Sequence, residues 1–146
     1  MNKKIVTDEI FLKIPCQRAI LPEDLSLINI LEKELKICEK NGTPGIGLAA
    51  NQIGIQKHVA IIRIKEIEIN LVNPVIEKGY DKILFDGEGC LSFPGRSERT
   101  FRYNEIHVKN DTEPYHFVAV GLLAVAIQHE IDHLNGILFF EQAIPK

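Results

Sequence analysis

His129, Glu130 and His133 have the types and the spacing to hold a metal ion and move a proton. Residues four apart on an α-helix lie on the same face, so His129 and His133 can aim two imidazoles at one point. Glu130, one step round, brings a carboxylate beside them. H-E-x-x-H on a helix is the geometry of a divalent metal next to a general base. The flanks support the helix. Leu122, Ala126, His129 and His133 fall on one stripe, and Ile127, Ile131, Leu134 and Leu138 on a second. A helix apolar on two faces belongs inside a domain, and Gly136 is a natural stop just past its last turn. The competing reading, two partnered core histidines beside an exposed glutamate, suits a lone histidine better than this trio.

Two imidazoles do not hold a catalytic metal, so a third ligand is needed. The metzincin pattern H-x-x-G-x-x-H fails because position 139 is phenylalanine. A downstream glutamate of the thermolysin kind is also disfavoured, since Glu141 is the only carboxylate among the 13 residues after His133. The ligand must come from upstream, where Cys90, His58, His107, His116 and Glu88 are candidates. His107 and His116 lie in predicted strands of one hairpin, where a satisfied or solvent-facing histidine is the simpler reading. Cys90 stands among glycines in Asp86-Gly-Glu-Gly-Cys-Leu-Ser-Phe-Pro-Gly95. Its thiolate suits zinc or ferrous iron, though a buried structural thiol fits the sequence equally well.

Composition sets the frame. A chain of 146 residues forms one domain with a real core, and 45% hydrophobic with 25% charged residues is ordinary for a soluble globular protein. A net charge of −3 with scattered signs argues against non-specific nucleic-acid binding. No apolar run reaches membrane-spanning length, and the N-terminus lacks the apolar core of a signal peptide. Three cysteines, Cys16, Cys38 and Cys90, are too few and too odd for a disulfide framework, which points to a reducing cytosol.

Along the chain, residues 1–20 give little signal. Pro22, Glu23 and Asp24 read as a first helical turn, and Leu25, Ile28, Leu31, Leu35 and Cys38 continue at helical spacing to Asn41-Gly42. Gly45 to Gln52 reads as a glycine-rich loop. It is either an ordinary tight turn or a place where backbone comes close to something. Its Gly45-x-Gly47-x-x-Ala50 lacks the preceding strand that a dinucleotide site needs. His58–Ile64 and Ile67–Val72 alternate as a hairpin across Lys65-Glu66, with a further strand at Tyr80–Phe85. Glu105–Lys109 and Tyr115–Val120 form another hairpin, which feeds the metal helix. Asp86 to Gly95 reads as a loop.

Three segments, Gly45-Ile-Gly-Leu-Ala-Ala-Asn-Gln52, Glu88-Gly-Cys-Leu-Ser92 and His129-Glu-Ile-Asp-His133, resemble the signature motifs of peptide deformylases, in that family's order. Each is modestly specific; the three together are strongly so. The resemblance runs from about the first helix to near the C-terminus. It implies that Cys90, His129 and His133 bind one divalent ion, Fe²⁺ in cells, with Zn²⁺, Ni²⁺ or Co²⁺ able to replace it. It implies Glu130 as general base and then acid, with the Gln52 amide and the Leu91 backbone N–H stabilising the oxyanion. Ile46, Gly47 and Gly89 match positions whose backbone pairs with an extended peptide, and Leu122, Val125 and Ala126 match the pocket for the first side chain. Arg102 and Asp132 match an ion pair that steadies the metal helix.

The implied activity is hydrolysis of the N-formyl group from the formyl-methionine of nascent polypeptides, a co-translational step of protein biosynthesis. Its setting would be the cytoplasm or an organelle that initiates with formyl-methionine. The expected architecture is α+β: a central metal-binding helix wrapped by short, mostly antiparallel sheets, with a second helix near the N-terminus. Residues 1–146 are expected to form a single catalytic domain, working as a monomer on formyl-methionyl peptides, with no DNA and no membrane partner. Many bacterial members carry a further C-terminal helix to which ribosome docking is attributed. This chain is expected to lack an extended helix of that kind. The Phe93-Pro-Gly-Arg-Ser-Glu-Arg99 stretch is expected to alter the rim of the substrate site.

Overall fold

The buried run Val59-Ala-Ile-Ile62 explains the architecture, because a strand apolar on successive residues must be covered on both faces. The structure, a computed structural model, describes residues 5–144. Strand β1 (Gly47–Ala49), β2 (Val59–Ile64) and β3 (Ile67–Val72) form an antiparallel sheet in the order β1-β2-β3. A second antiparallel sheet, in the order β4-β5-β6, consists of β4 (Val75–Cys90), β5 (Phe93–Lys109) and β6 (His116–Val120). Three helices accompany them: α1 (Glu9–Leu12), α2 (Ser26–Lys40) and α3 (Gly121–Leu134).

Alternation then assigns the layers. Val59 and Ile61 point to one side of β2 and pack with Leu27, Leu31 and Leu35 of α2. Ala60 and Ile62 point to the other side, where they meet Ala124, Ala126, Ile127, Ile131 and Leu134 of α3. The opposite flank of α3 is covered by Ile106, Val108 and Ala119 of the second sheet. The order of layers is therefore α2, first sheet, α3, second sheet. Every residue from Ala124 to Ile131 is buried, as a helix with two apolar stripes requires. Gly136 ends the run at φ 74°, and a Cβ there would lie 2.4 Å from the Lys13 carbonyl oxygen. No helix among the described residues is long and apolar enough to cross a membrane.

Several details differ from the reading of the sequence. The sheets are not made only of short strands: β4 has 16 residues and β5 has 17. The ladder runs on through the expected Asp86–Gly95 loop, absorbing register shifts between Phe85 and Glu88 and between Glu88 and Cys90, and it turns only at Leu91-Ser92. Bulges of this kind let glycine-rich sequence stay in a sheet while re-aiming its side chains. The glycine-rich segment is likewise no plain loop but edge strand β1 followed by a 3₁₀ turn, Ala50–Ile53. Glu23–Leu25 is a separate 3₁₀ turn, so α2 starts at Ser26 and buries Leu27 and Glu34, while Leu25 is left exposed.

Candidate metal centre

Helix α3 carries His129 and His133 toward the tip of the β4–β5 hairpin, where Cys90 is the last residue of β4. One ligand atom from each of Cys90, His129 and His133 lies within 4.8 Å of the others. Cys90 Sγ is 3.2 Å from His133 Nε2, and the two imidazole centroids are 4.9 Å apart. A thiolate and two imidazoles suit Fe²⁺, Zn²⁺, Co²⁺ or Ni²⁺. His129 turns its Nδ1 to Glu88, which directs its other nitrogen to the centre, as metal-ligating histidines do. The residues present fit a divalent ion. Two of the alternatives for the third ligand are placed elsewhere: His107 bonds Glu105 at 2.9 Å and meets the Tyr80 ring, while His58 lines a different cavity. Among the described residues, Cys90, His129 and His133 are the one cluster of three such groups able to hold a metal.

Glu130 is 4% exposed, and its Oε1 has no hydrogen-bond partner among the described residues. Burial pushes its carboxyl up to about 7, the range suited to exchanging a proton near neutrality. Its Oε2 lies 2.6 Å from where a Cβ on Gly47 would stand, so the absence of a side chain at 47 makes room for the acid. Burial alone would lower the His129 pKa, yet hydrogen bonds to Cys90 and Glu88 and the Glu130 charge outweigh it and push it up to about 10. Burial, reinforced by the neighbouring His129, holds His133 well below the ordinary histidine value.

Behind the ligands runs a polar chain. Glu88, itself 5% exposed, accepts from Thr100 Oγ1 at 2.7 Å and Arg102 Nε at 2.8 Å, and its Oε2 faces His129 Nδ1 at 2.8 Å. Arg102 Nη1 donates to Asp132 at 2.6 Å, and Gln142 donates to the same carboxylate oxygen at 3.3 Å. Burial would raise the Glu88 carboxyl, but the His129 and Arg102 hydrogen bonds and charges overcome it and hold it at about 2. The Arg102–Asp132 pair is the one the family resemblance implies. Glu88, considered from the sequence only as a possible ligand, spends its oxygens on Arg102, Thr100 and His129. No strand period could have signalled this role, because the register shifts between Glu88 and Cys90.

Gln52 is held at both ends of its amide. Its Oε1 accepts from the Ala49 N–H at 3.0 Å, and its Nε2 donates to Ser92 Oγ at 3.1 Å and toward Cys90 Sγ at 3.5 Å. Ser92 as the anchor of this amide is not readable from sequence, and neither is Asn51, whose Nδ2 donates to the His133 carbonyl at 2.8 Å. A cavity of about 630 Å³ opens over the centre. Ile46, Gly47, Gly89, Leu122, Val125 and Ala126 all line it, as do Gln52, Leu91, Cys90, His129 and Glu130. The Ile46 carbonyl accepts from the Arg63 N–H of β2 at 2.7 Å, so by alternation the backbone groups of Gly47 point to the free edge of the sheet.

Comparison with known proteins bears on what this arrangement is. A sequence profile described as Polypeptide deformylase matches residues 3–146. The chain belongs to the polypeptide deformylase family. Peptide deformylase 1 of Pseudomonas syringae pv. tomato is 46% identical over 104 residues, covering 67% of this chain and 62% of that protein. Peptide deformylase 1 of Corynebacterium glutamicum is 39% identical over 129 residues, 84% of this chain and 75% of that one. The matched segment thus spans under two thirds of the first of these relatives. Among solved structures, a peptide deformylase from Legionella pneumophila superposes with a TM-score of 0.86 at 31% identity, over 99% of this chain and 88% of that chain. The deformylase from Synechococcus elongatus, solved in complex with actinonin, gives 0.85 at 33% identity over 100% of this chain and 80% of that chain. The α+β architecture, with antiparallel sheets around a helix bearing His129 and His133 near Cys90, is the deformylase fold.

Proposed function

We propose that this chain is a peptide deformylase, a metal-dependent amidohydrolase that removes the formyl group from the N-terminal formyl-methionine of nascent polypeptides. The observation that carries the reading is the convergence of Cys90, His129 and His133 on one point beside a buried, unpartnered Glu130 oxygen, at the floor of a peptide-sized cavity. Support also comes from the family, and from a structural neighbour, the Acinetobacter baumannii deformylase solved with Met-Ala-Ser bound (TM-score 0.82, 27% identity).

Cys90, His129 and His133 would hold the ion, Fe²⁺ in cells, which supplies Lewis acidity and makes water acidic enough to ionise near neutral pH. Glu130 takes the proton of the attacking water and returns one to the departing amine as the C–N bond of the formamide breaks. The products are formate and a free N-terminus. The Gln52 amide, braced by Ala49 and Ser92, and the Leu91 N–H donate to the formyl oxygen as it gains charge; each such donor is worth about 3 kcal/mol. Leu122, Val125 and Ala126 take the methionine side chain. Gly47 and Gly89 pair with the peptide backbone; Ile46, expected to do the same, has its carbonyl taken by the Arg63 N–H and contributes its side chain to the wall instead. The Arg102–Asp132 pair steadies α3. The setting is the cytoplasm or a formyl-methionine-initiating organelle, with the protein acting as a monomer.

The test is to load the protein anaerobically with Fe²⁺, or with Ni²⁺, and incubate it with formyl-Met-Ala-Ser and acetyl-Met-Ala-Ser. Free amine from the formyl peptide and none from the acetyl peptide is expected. No amine from either, with metal bound, would reject the reading.

A further inference from the structure

The cavity over the metal centre carries charge at two levels. Glu88, His129 and Glu130 lie buried at its floor, whereas Arg96 stands at its mouth with its side chain 44% exposed. The Arg96 guanidinium carbon lies 3.7 Å from the centroid of the Phe140 ring. That ring is itself fixed, edge-on to Phe93 at 5.3 Å and against Phe139 at 5.6 Å. Glu98 Oε1 takes the Arg96 Nε–H at 3.3 Å. Both Nη atoms are left without a partner among the described residues. Contact with the ring and the Glu98 hydrogen bond together hold the guanidinium, leaving its outer N–H groups available at the entrance.

A planar guanidinium with two free donors matches a carboxylate bidentately, and an already ordered fork loses little freedom on engaging one. The protein as a whole cannot supply such a preference, because its net charge of −3 repels an acidic peptide. We infer that Arg96 is a specificity-determining residue that receives a carboxylate borne by the residues just after the formyl-methionine, an inference that rests on the deformylase reading above. The substrates favoured are formyl-methionyl chains with Asp or Glu at the second or third position. This gives a use to the rim segment Phe93–Arg99, which the chemistry at the metal does not draw on.

The test compares kcat/KM for two matched pairs: formyl-Met-Ala-Glu-amide with formyl-Met-Ala-Gln-amide, and formyl-Met-Glu-Ala-amide with formyl-Met-Gln-Ala-amide. The amidated ends remove the terminal carboxylate, and formyl-Met-Ala-Gln with a free end measures that source separately. In one pair the acidic member should be favoured about fivefold at low salt, the scale of a well-placed but solvent-accessible ion pair, with the gain in KM. Arg96→Ala should bring the ratio to about one, and Arg96→Glu should invert it. Arg99→Ala should keep it, since Arg99 pairs with Asp86 and does not line the cavity. Because each ratio is taken within one protein preparation, loss of folded material does not change it. A preference confined to the free-ended peptide, with a ratio of one in both amidated pairs, would assign the carboxylate to the chain end and overturn the side-chain preference. A ratio of one in the unaltered protein, or a preference that survives Arg96→Ala, overturns the inference while the deformylase reading stands. No amine from any peptide overturns that reading and this inference with it.

Discussion

Glu88 Oε2 lies 2.8 Å from His129 Nδ1, and the same carboxylate is gripped from behind by Arg102. One metal ligand is therefore oriented by a buried acid that owes its own charge to a buried guanidinium. Second-layer carboxylates of this kind fix the tautomer and the aim of the ligating ring. Glu88→Ala is expected to weaken metal binding by about 10- to 100-fold, measured by chelator competition. It should also cost about 3–5 kcal/mol of stability, because it strips Arg102, 3% exposed, of its main counter-charge. Unchanged metal affinity would show that His129 is aimed by other contacts.

The same carboxylate should govern acid stability. Its folded-state value of about 2 is depressed below the ordinary glutamate value of 4.5. A depressed acid contributes stability that is present above the unfolded pKa and is lost as pH falls through the folded one. In urea titrations of metal-free protein, the Glu88 contribution should fade between about pH 4.5 and pH 2, by about 3 kcal/mol in all. Glu88→Gln should flatten the profile in that window. A slope unchanged by the substitution would contradict the assignment.

Gly47 tests the fit of β1 against Glu130. A Cβ at that position would stand 2.6 Å from Glu130 Oε2 and 3.1 Å from the Ile61 carbonyl oxygen. The backbone oxygen cannot move far, so the carboxylate must. Gly47→Ala is expected to lower kcat by about 100-fold, the scale of a misplaced catalytic group, while metal content stays at wild-type level. Loss of metal together with activity would mean that the glycine serves the ligands instead.

The three cysteines should separate by reactivity. Burial pushes Cys16 up to about 11 and also raises Cys38, whereas Cys90 is only partly buried and lines the cavity. Thiolates, not thiols, are alkylated. Iodoacetamide at neutral pH should label Cys90 first in metal-free protein, and a bound divalent ion should protect it. Peptide mass mapping with and without metal reads this directly.

How much was legible follows from how local each feature is. His129, Glu130 and His133 declare themselves because helical spacing alone sets their geometry. So do β2 and β3, whose hairpin falls where their alternation and the Lys65-Glu66 turn place it. Cys90 does not: it arrives from a hairpin tip in the other sheet, and only the resemblance to a family selected it among five upstream candidates. The β4–β5 ladder was hidden because Gly87 and Gly89 break the alternation that marks a strand. They do so by forming the bulges that turn Glu88 and Cys90 inward. The α2 stripe holds at Leu31, Leu35 and Cys38, but its start was misjudged because a 3₁₀ turn uses up Glu23–Leu25 before the helix begins, which no hydrophobic period reveals. The anchoring of Gln52 by Ser92 joins residues 40 apart in the chain, so it is a property of packing alone.

The most direct measurement assays formate release from formyl-Met-Ala-Ser by wild-type and Glu130→Gln protein, with metal content determined on the same samples. The account predicts one divalent ion per chain in both, rapid formate release from the wild type, and at least a 100-fold loss in the variant for want of its proton carrier. Formate release by Glu130→Gln at the wild-type rate with metal bound, or wild-type protein that holds one ion and releases none, would contradict it.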